Sequence, residues 1–370
     1  MTEWIKCQIG DLCNTISDTY KGKDPLVVLV NTSDVLEGKV LNHKTVFNEK
    51  LKGQFKKTFK KNDILYSEIR PANKRFAFID FENTSNYIAS TKLMVLRPND
   101  KVLPRYLFAL LKSNHLISEL QHLAETRSGT FPQITFSTEL SRIPVLLPDK
   151  KTQKKVIDVL SCIEDKIDLN LAINNNLEQQ AIAIFDNMFP NISTAEKTIG
   201  DIIIPKRGKS LLSKNAIFGS VPVVAGGLNP STYHNTANTV APVLSISASG
   251  ANAGYVSLWT MPIWSSDSSF IDSSMSNDVY FWYVLLKKRQ NEIYDSQTGS
   301  AQPHIYPQHI AAMPICDLNF NKVSNYTSTV TPIFELIGYN KIENMRLITI
   351  RDALVPKLIS GDLDVSNISL

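Results

Sequence analysis

The chain has 370 residues, of which 43% are hydrophobic and 20% charged, and its formal net charge at pH 7 is +4. These values are typical of a globular protein with two to three domains. No stretch approaches eighteen consecutive apolar residues, and the start of the chain carries an early acid, so we expect neither a membrane span nor a signal peptide. The four cysteines have no metal-binding or CxxC spacing, which favours reduced thiols in a cytoplasmic protein.

Residues 1–128 are predicted to form a first globular domain. It opens with an Ile-Gly-Asp phrase at 9–11, and short β-type runs at 26–30, 76–81 and 93–96 follow between polar turns. A stretch after Pro104, residues 105–120, is predicted to be one amphipathic helix. Because strands and helices do not alternate regularly, the pattern predicts an α+β fold.

Basic residues cluster between Lys50 and Arg75, where aromatic residues interrupt them and Asp63 and Glu68 are the acids. A charge run is most often a solvated face, but cations mixed with aromatics in a nearly neutral chain favour contact with phosphates. Polar and cationic residues further on, at strand and loop ends, stand where they could reach base edges. Lys50 and Lys52 begin the run, and the candidate nucleic-acid contacts of this domain are Lys56, Lys57, Lys60, Lys61, Arg70, Lys74, Arg75, Thr91, Lys92 and Arg127.

Residues 129–190 are predicted to contain a helix from about 151 to 188, on the order of 57 Å long at 1.5 Å per residue. Apolar and Asn residues recur along it in alternating steps of three and four, which is typical of a coiled-coil seam. The predicted seam residues are Leu160, Ile163, Ile167, Asn170, Asn174, Leu177 and Ile184.

Residues 191–298 are predicted to form a second domain, which again opens with Ile-Gly-Asp, at 199–201. Small polar residues dominate the stretch 244–274 and would let a ligand approach the backbone closely, although a plain cluster of β-turns is an alternative. Residues 281–289 are predicted to form the helix that corresponds to 105–120. The candidate contacts of this domain are Lys206, Arg207, Lys209, Ser247, Ser249 and Asn252.

Residues 299–359 repeat residues 129–189 at an offset of 170, so that Pro144 meets Pro314 and the two Asn positions of each seam coincide. Two helices with matching polar layers are best satisfied by packing on each other, Asn against Asn, although each could also lie on its own domain. The second seam is predicted at Ile333, Ile337, Asn340, Asn344, Leu347 and Leu354.

The second helix differs from the first in its prolines. Pro332 and Pro356 are expected to break or kink it, because proline removes a backbone donor and clashes with the preceding turn. Gly361 is a natural cap at its end. We expect the tail after Gly361 to return near Trp4.

Signatures of catalysis are missing from the sequence. There is no Asn-Pro-Pro-Tyr type tetrapeptide and no Gly-rich cofactor loop, and Ile203 stands where a phosphate-binding loop ending at 208–210 would need Gly. Residues 148–149 and 164–166 match a PD…ExK nuclease core only superficially, since the second group lies within the predicted helix. We therefore expect no catalytic residue, no metal and no cofactor.

These motifs, in this order, resemble the specificity (S) subunit of type I restriction-modification systems. The residues that carry the resemblance are DILYSEIRPANKRFAF at 63–78, IASTKLMVLRP at 88–98, GTFPQITFSTELSRIPVLLPDKKTQKKVIDVLSCIEDKI at 129–167, GSAQPHIYPQHIAAMPI at 299–315 and LVPKLISGDLDV at 354–365. The resemblance covers essentially the whole chain. The second helix departs from the family pattern at Pro332 and the residues just before it.

The resemblance implies an α+β fold with two globular target-recognition domains, 1–128 and 191–298. Two conserved regions, 129–190 and 299–370, would supply two long antiparallel coiled-coil helices in a pseudo-twofold arrangement. The implied function is sequence-specific reading of a bipartite site in double-stranded DNA. The implied partners are methylation subunits, two of them, and restriction subunits, which carry the chemistry, and no membrane is implied.

Two other hypotheses remain at the level of sequence. The chain could be a non-catalytic protein–protein scaffold with duplicated peptide-binding domains, in which case the basic cluster is merely solvated. It could also be an enzyme whose active site no motif announces.

Overall fold

A computed structural model of the chain describes residues 4–48, 53–127, 131–194, 197–299 and 302–365. The chain divides into two compact units, a first unit of Met1–Lys166 with Arg346–Leu370 and a second unit of Ile167–Met345. The predicted domain boundaries fall at other positions and remain predictions. Lys50, Lys52, Gly129 and the last five residues of the tail lie outside the described residues.

The first unit is built on two four-stranded sheets, ordered β6-β3-β10-β7 and β2-β11-β8-β9. The pairs β1-β12 and β4-β5 complete its strands, and only β3 and β10 pair in parallel among those described here. Its strands are β1 (Ile5–Gln8), β2 (Cys13–Ile16), β3 (Leu26–Val30), β4 (Val35–Leu36), β5 (Lys39–Val40), β6 (Thr45–Phe47), β7 (Phe55–Lys57), β8 (Ile64–Ser67), β9 (Phe76–Phe78), β10 (Tyr87–Ser90), β11 (Leu93–Pro98) and β12 (Pro144–Leu147).

The core of the first unit forms around β11, which pairs with β2 on one side and with β8 on the other. Residues 93–96 are all buried, as a continuous apolar run in a central strand requires. Met94 and Leu96 face the cluster that contains the helices, whereas Leu93 and Val95 face a second cluster with β3. The predicted runs at 26–30, 76–81 and 93–96 therefore all contain strands.

The single helix predicted at 105–120 was wrong. The structure has two helices there, α1 (Pro104–Leu111) and α2 (Asn114–Arg127). Ser113 separates them: its hydroxyl accepts a hydrogen bond from the N–H of Leu116 at 3.4 Å, and its carbonyl accepts one from Ile117 at 3.0 Å. A serine that binds nearby backbone N–H groups favours a helix start over a helix interior.

The second unit has a four-stranded sheet ordered β14-β20-β17-β18, a three-stranded sheet ordered β16-β15-β19, and the pair β13-β21. Its strands are β13 (Lys197–Thr198), β14 (Lys206–Arg207), β15 (Val221–Val224), β16 (Thr232–His234), β17 (Val243–Ser247), β18 (Val256–Trp259), β19 (Trp264–Ser265), β20 (Ser268–Asp272) and β21 (Pro314–Ile315), and its short helices are α4 (Val279–Lys288), α5 (Gln290–Asp295) and α6 (Pro307–Ala311). The helix predicted at 281–289 corresponds to α4, which is buried along most of its length.

The internal repeat is confirmed by matching contacts in the two units. In the first unit the N–H of Ile9 donates to the carbonyl of Ile143 at 3.1 Å, and in the second unit Ile199 donates to Met313 at 2.9 Å. Positions 143 and 313 are separated by the offset of 170 that the sequence predicts. Each Ile-Gly-Asp phrase forms a single 3-10 turn beside the same strand of the repeat.

The glycine of each Ile-Gly-Asp turn is required by close packing. A Cβ at Gly10 would lie 3.1 Å from the carbonyl oxygen of Ser141, and one at Gly200 would lie 3.0 Å from that of Ala311. Positions 141 and 311 again differ by 170. Only glycine lets the turn approach the backbone so closely.

Two long helices run through the chain, α3 (Lys150–Met188) with 39 residues and α7 (Phe320–Ser360) with 41. In the first unit, Val156 and Leu160 of α3 pack in one cluster with Val355 and Leu358 of α7. In the second unit, the later part of α3 packs with the earlier part of α7 in the same way. The α+β fold with two long packed helices is therefore confirmed.

Polar layers pair the helices in antiparallel sense within the second unit. Asn170 Nδ2 donates to Asn344 Oδ1 at 2.8 Å and to Glu343 Oε2 at 2.7 Å. Asn340 Nδ2 donates to Asn174 Oδ1 at 2.8 Å. All four Asn side chains are buried. Asn therefore faces Asn, as the spacing in the sequence predicts.

Other seam positions differ in burial. Leu160 and Ile337 are buried, whereas the predicted seam residues Ile163, Ile167, Leu177, Ile184, Ile333, Leu347 and Leu354 are half-buried. Towards the end of α3, Phe185, next to the predicted Ile184, is fully buried, as is Ala181.

Neither proline ends α7, so the expectation of a break was wrong, whereas the expected kink stays a prediction. The helix continues through Pro332 and Pro356. Val330 and Phe334, on either side of Pro332, are buried in the core of the second unit. Burying two large apolar side chains contributes about 3–6 kcal/mol, which offsets the cost of about 3 kcal/mol for an interior proline. Gly361 follows the helix with φ +82° and lies against the indole of Trp4, as expected.

Candidate nucleic-acid interface

Three loops of the first unit meet beside residues 131–135. These residues belong to the first copy of the internal repeat, and we call them the repeat segment of this unit. The N–H of Glu68 donates to the carbonyl of Lys92 at 3.0 Å, Arg70 donates to Pro132 at 3.1 Å, and Ile134 donates to Glu68 at 2.9 Å. These backbone bonds bring together loop residues that are far apart in the sequence. We call this group of loops the first edge.

The side chains at the first edge are exposed cations and the partly buried acids that pair with them. Lys92 Nζ lies 3.8 Å from Glu68 Oε2, and Arg127 Nη1 lies 3.0 Å from Glu139 Oε1. Arg70 is exposed and has no ion pair within the part of the chain that the structure describes. Its φ of +46° is rare for a side chain of this size, which indicates that the loop holds it in a defined place.

Hydrogen bonds order the Glu139 carboxylate. Burial opposes its ionisation, but hydrogen bonds from Thr138 and Thr135 and the charge of Arg127 outweigh burial and hold the pKa of Glu139 below its ordinary value. The N–H of Thr135 donates to Glu139 Oε2 at 2.7 Å. An ionised Glu139 thus fixes both the repeat segment and the guanidinium of Arg127.

Several predicted contacts serve the fold instead. Lys57 Nζ donates to the carbonyls of Thr91 at 3.0 Å and Leu93 at 2.8 Å, and its burial lowers the pKa of Lys57. Thr91 is itself half-buried. Arg75 Nη1 donates to the carbonyl of Ser33 at 3.0 Å. These side chains hold loops together and do not project into solvent.

The remaining cations of the cluster are exposed to different degrees. Lys61 pairs with Glu82 at 2.5 Å and the half-buried Lys74 pairs with Glu37 at 3.6 Å. Lys56 and Lys60 are exposed, and neither ammonium group forms an ion pair within the described ranges. Together with Arg70 they are the cations most open to phosphate.

Sequence reasoning missed the ion pair that supports this surface. Asp63 is 1% exposed and accepts two hydrogen bonds from Arg97, each at 2.8 Å. Its carboxylate also accepts the backbone N–H of Lys60 at 2.8 Å. The turn that carries Lys60 and Lys61 is therefore tied to the sheet. The one signal in the sequence that could have predicted this ion pair is an acid, Asp63, inside a basic run.

In the second unit, an acid joins two of the predicted contacts. Arg207 Nη2 lies 2.6 Å from Asp267 Oδ1, and the hydroxyl of Ser249 donates to the other carboxylate oxygen. Asp267 was not predicted, although it lies within the polar stretch 244–274. Lys206 and Lys209 are exposed on either side of Arg207.

The repeat segment of the second unit lies beside this group, as its counterpart does at the first edge. Gly250 N–H donates to the carbonyl of Pro303 at 3.1 Å, and Ser249 forms a β-bridge with His304. The ring of His304 stacks on the exposed Tyr306, with centroids 6.1 Å apart. We call this group the second edge.

The other predicted contacts of the second unit are less accessible. Ser247 is buried, and its hydroxyl has no hydrogen-bond partner among the described atoms. Asn252 is half-buried, and its carbonyl accepts the N–H of Tyr255 at 2.9 Å. Ser247 is therefore closed to a ligand in this conformation.

The residues considered for a nuclease core are not brought together. Asp149 caps α3 by accepting the N–H of Thr152 at 2.7 Å, and Glu164, fifteen residues further along the same helix, pairs with Lys112. At 1.5 Å per residue they are roughly 22 Å apart. Within the described ranges, no three His, Cys, Asp or Glu side chains are grouped so that they could hold a metal ion. No helix in those ranges has the length and apolar character that a membrane crossing needs.

Comparison with known proteins gives a consistent result. Residues 1–179 match the model of the type I restriction modification DNA specificity domain. The specificity subunit of the type I restriction enzyme HindI from Haemophilus influenzae is 41% identical over 248 residues, which are 65% of this chain and 53% of that subunit. The match thus spans about half the length of that relative. The specificity subunit of the type I restriction enzyme MjaIX from Methanocaldococcus jannaschii is 26% identical over 312 residues, 73% of this chain and 72% of that subunit.

A solved structure shares the fold. The S subunit of a type I restriction-modification system from M. genitalium has a TM-score of 0.58 and 18% identity, over 97% of this chain and 96% of that one. The internal repeat, the matched domain and the related sequences agree. The chain therefore carries a type I restriction modification DNA specificity domain over residues 1–179, and the related sequences are specificity subunits of type I restriction enzymes.

Proposed function

We propose that the chain is the DNA-recognition subunit of a type I restriction-modification complex and that its two recognition domains, 1–128 and 191–298, each read one half of a bipartite target. The observation that carries the proposal is the repetition of one arrangement. In both units the repeat segment, 131–135 or 302–306, lies against loops that carry exposed cations and the acids that pair with them. At the second edge the Asp267 side chain is 38% exposed, so a phosphate can replace that carboxylate at low cost, because exposed ion pairs contribute only about 0–1 kcal/mol.

The two edges differ in chemistry, which supports different base preferences. The first edge has long cations, Arg70, Lys92 and Arg127. The second edge combines Arg207 with an acid and a serine hydroxyl. Arginine pairs with guanine in the major groove, and a carboxylate accepts a hydrogen bond from cytosine.

The separation of the half-sites is part of the proposal. Helix α3 has 39 residues and is therefore roughly 58 Å long, which exceeds one DNA turn of about 34 Å. A spacer of this length suits half-sites about one turn apart. The four Asn residues that pair the helices would keep that spacing constant.

We further propose that the helices dock two methylation subunits, with restriction subunits joining that core in the cytoplasm. Apolar side chains remain exposed on both helices of the second unit, including Leu169 and Leu171 on α3 and Leu336 and Tyr339 on α7. An apolar helix face in water favours a protein partner. The chain itself is proposed to be non-catalytic, so the purified chain is expected neither to methylate nor to cleave DNA.

Footprinting of the complex with its methylation subunit tests the central claim. Two protected patches separated by an unprotected gap are expected, and one contiguous patch would contradict a bipartite target. The DNA for this assay follows from sequencing methylated adenines in the host genome.

A charge-matched pair of variants tests the basic cluster of the first unit. Lys56→Ala/Lys60→Ala removes two exposed cations of this cluster, and Lys6→Ala/Lys101→Ala removes two exposed cations elsewhere in the first unit. The plot of log K against log salt should become shallower by about 0.9 per lost phosphate contact in the first variant only. Equal binding by both variants would favour a protein–protein scaffold with a merely solvated basic cluster.

A further inference from the structure

The loop 208–219 of the second unit ends in an exposed apolar tip. Phe218 is 99% exposed, and the neighbouring Ile217 and the earlier Leu212 are 60% and 56% exposed. Single exposed hydrophobic residues are common. Three of them on one short loop, with an aromatic ring entirely in water, need a further explanation.

The loop is fixed to the sheets near both ends. At its start, Lys209 N–H donates to the carbonyl of Ser265 at 2.9 Å and Leu211 N–H donates to the hydroxyl of Ser266 at 2.9 Å. At its end, Ile217 N–H donates to Nδ1 of the buried His234 at 3.0 Å. A loop held in this way keeps its tip in place without burying it.

The residue after the tip allows no side chain. A Cβ at Gly219 would lie 2.3 Å from the carbonyl oxygen of His234 and 2.4 Å from Cα of Asn235. Strand β16 therefore contacts the backbone directly behind Phe218. The ring of His234 also meets that of Trp264 edge-on at 5.1 Å, and the indole N–H of Trp264 donates to the carbonyl of Lys209. The tip thus has a rigid support.

The charge around the tip selects the partner. The stretch 206–219 contains Lys206, Arg207, Lys209 and Lys214 and no acid. The loop is also continuous with the second edge, because the residues that hold its start directly precede Asp267. DNA has phosphates on its outside, which the cations could bind, and stacked apolar bases inside, which a rigid apolar side chain could contact. The combination of cations and an apolar tip therefore fits DNA.

We propose that Phe218, supported by Ile217, is a wedge that enters the base stack of the half-site bound by the second unit. Lys206, Lys209 and Lys214 would hold the flanking phosphates while the ring separates or caps adjacent bases. Proteins that insert apolar wedges unstack a base step and kink the duplex, which adds selectivity for steps that open easily. This inference rests on the proposed function and adds DNA distortion to it.

Fluorescence of 2-aminopurine tests the wedge in the assembled complex. The probe replaces each base of the second half-site in turn, and its emission rises when it loses its stacking neighbours. The native complex should brighten the probe at one step, and Phe218→Ala should abolish that rise and weaken binding roughly 5- to 100-fold, the range for loss of an aromatic that stacks on a base. Phe218→Trp should retain both properties.

Phe320→Ala is the matched control, since Phe320 is an exposed phenylalanine of the same unit at the start of α7. It should leave both the fluorescence and the affinity unchanged. If Phe218→Ala binds as the native complex does, or if no probe brightens, the wedge is refuted while the two-patch footprint can still stand. If Phe218→Ala lowers assembly with the methylation subunit and leaves DNA distortion intact, the tip contacts protein and the proposal also fails.

Discussion

The hydrogen bond between Asn340 and Asn174 offers a direct test of why the long helices pair as they do. Its donor Nδ2 and acceptor Oδ1 are 2.8 Å apart, and both side chains are buried. Changing Asn340→Leu leaves a buried acceptor without a donor, which costs about 1–3 kcal/mol, while the new Leu gains apolar burial. Changing both residues to Leu removes donor and acceptor together, so the apolar gain remains and the penalty does not.

A double-mutant cycle measures the coupling free energy between the two Asn side chains, because the apolar burial gained by each new Leu cancels in the cycle. We expect the Asn174→Leu/Asn340→Leu variant to be more stable than the sum of its single changes by about 1–3 kcal/mol. Urea unfolding followed by circular dichroism measures each corner of the cycle. The control cycle combines Asn174→Leu with Thr329→Ala, an exposed site eleven residues earlier on α7, and should be additive within about 0.5 kcal/mol.

A coupling below about 0.5 kcal/mol in the Asn cycle would refute the reasoning, because the polar layer would then contribute nothing specific. A related expectation concerns Asn170, which donates to Asn344. Asn170→Leu should leave the chain folded and loosen the register of the helices. An unchanged half-site gap and unchanged assembly with methylation subunits would contradict that expectation.

Three further outcomes follow from single contacts. Lys57→Ala should lower stability in urea by about 1–3 kcal/mol because the backbone carbonyls of Thr91 and Leu93 lose a charged donor, whereas the exposed Lys56→Ala should change it by less than about 0.5 kcal/mol. Hydrogen bonds from the first turn of α3 hold the pKa of Asp149 below its ordinary 3.8, so its cap is fully formed above that pH and is lost as the pH falls through the lower folded value. Hydrogen exchange of the backbone amides in the first turn of α3 measures the loss of this cap as the pH falls. Asp149→Asn should remove the pH dependence of that protection, and Asp149→Ala should speed the exchange at neutral pH. Gly338→Ala should lower thermal stability by about 1–3 kcal/mol because its Cβ would lie 2.1 Å from Thr260 Oγ1, and Thr260→Gly should restore part of the loss.

Periodicity in the sequence predicted the two long helices and their polar layers. A buried Asn at a seam position is informative because it is unfavourable unless a partner satisfies it. The offset of 170 between the two repeats then places the Asn residues of α3 and α7 at equivalent positions, which predicts that they pair. The same periodicity selected Ile184 where the structure buries Phe185, because α4 packs on this part of α3 and the ring of Phe281 lies 5.5 Å from that of Phe185. Contacts with a third element cannot be read from the spacing of one helix.

The candidate sites were predictable in composition but not in detail. The sequence places Lys56 and Lys57 in one basic run, yet β7 exposes the first and directs the second to carbonyls of the neighbouring loop. Alternation along a strand separates neighbours in this way. Asp267 was missed because an acid in a polar stretch has no signature until folding brings Arg207 to it.

Under the proposed function, the strength of each ion pair decides which cations are available to a DNA phosphate. Arg97 is held by a carboxylate that is 1% exposed, and removing such a partner costs several kcal/mol, so Arg97 belongs to the fold. Arg207 is paired at the surface with Asp267, whose side chain is 38% exposed, and such an ion pair contributes about 0–1 kcal/mol and is screened by salt. A phosphate can accept two parallel N–H bonds from one guanidinium, and counter-ions are released from DNA when its phosphates are bound. Under the proposed function, exchange of the Asp267 carboxylate for a phosphate is therefore favourable at low salt, whereas the less exposed Glu139 keeps Arg127 in position at the first edge.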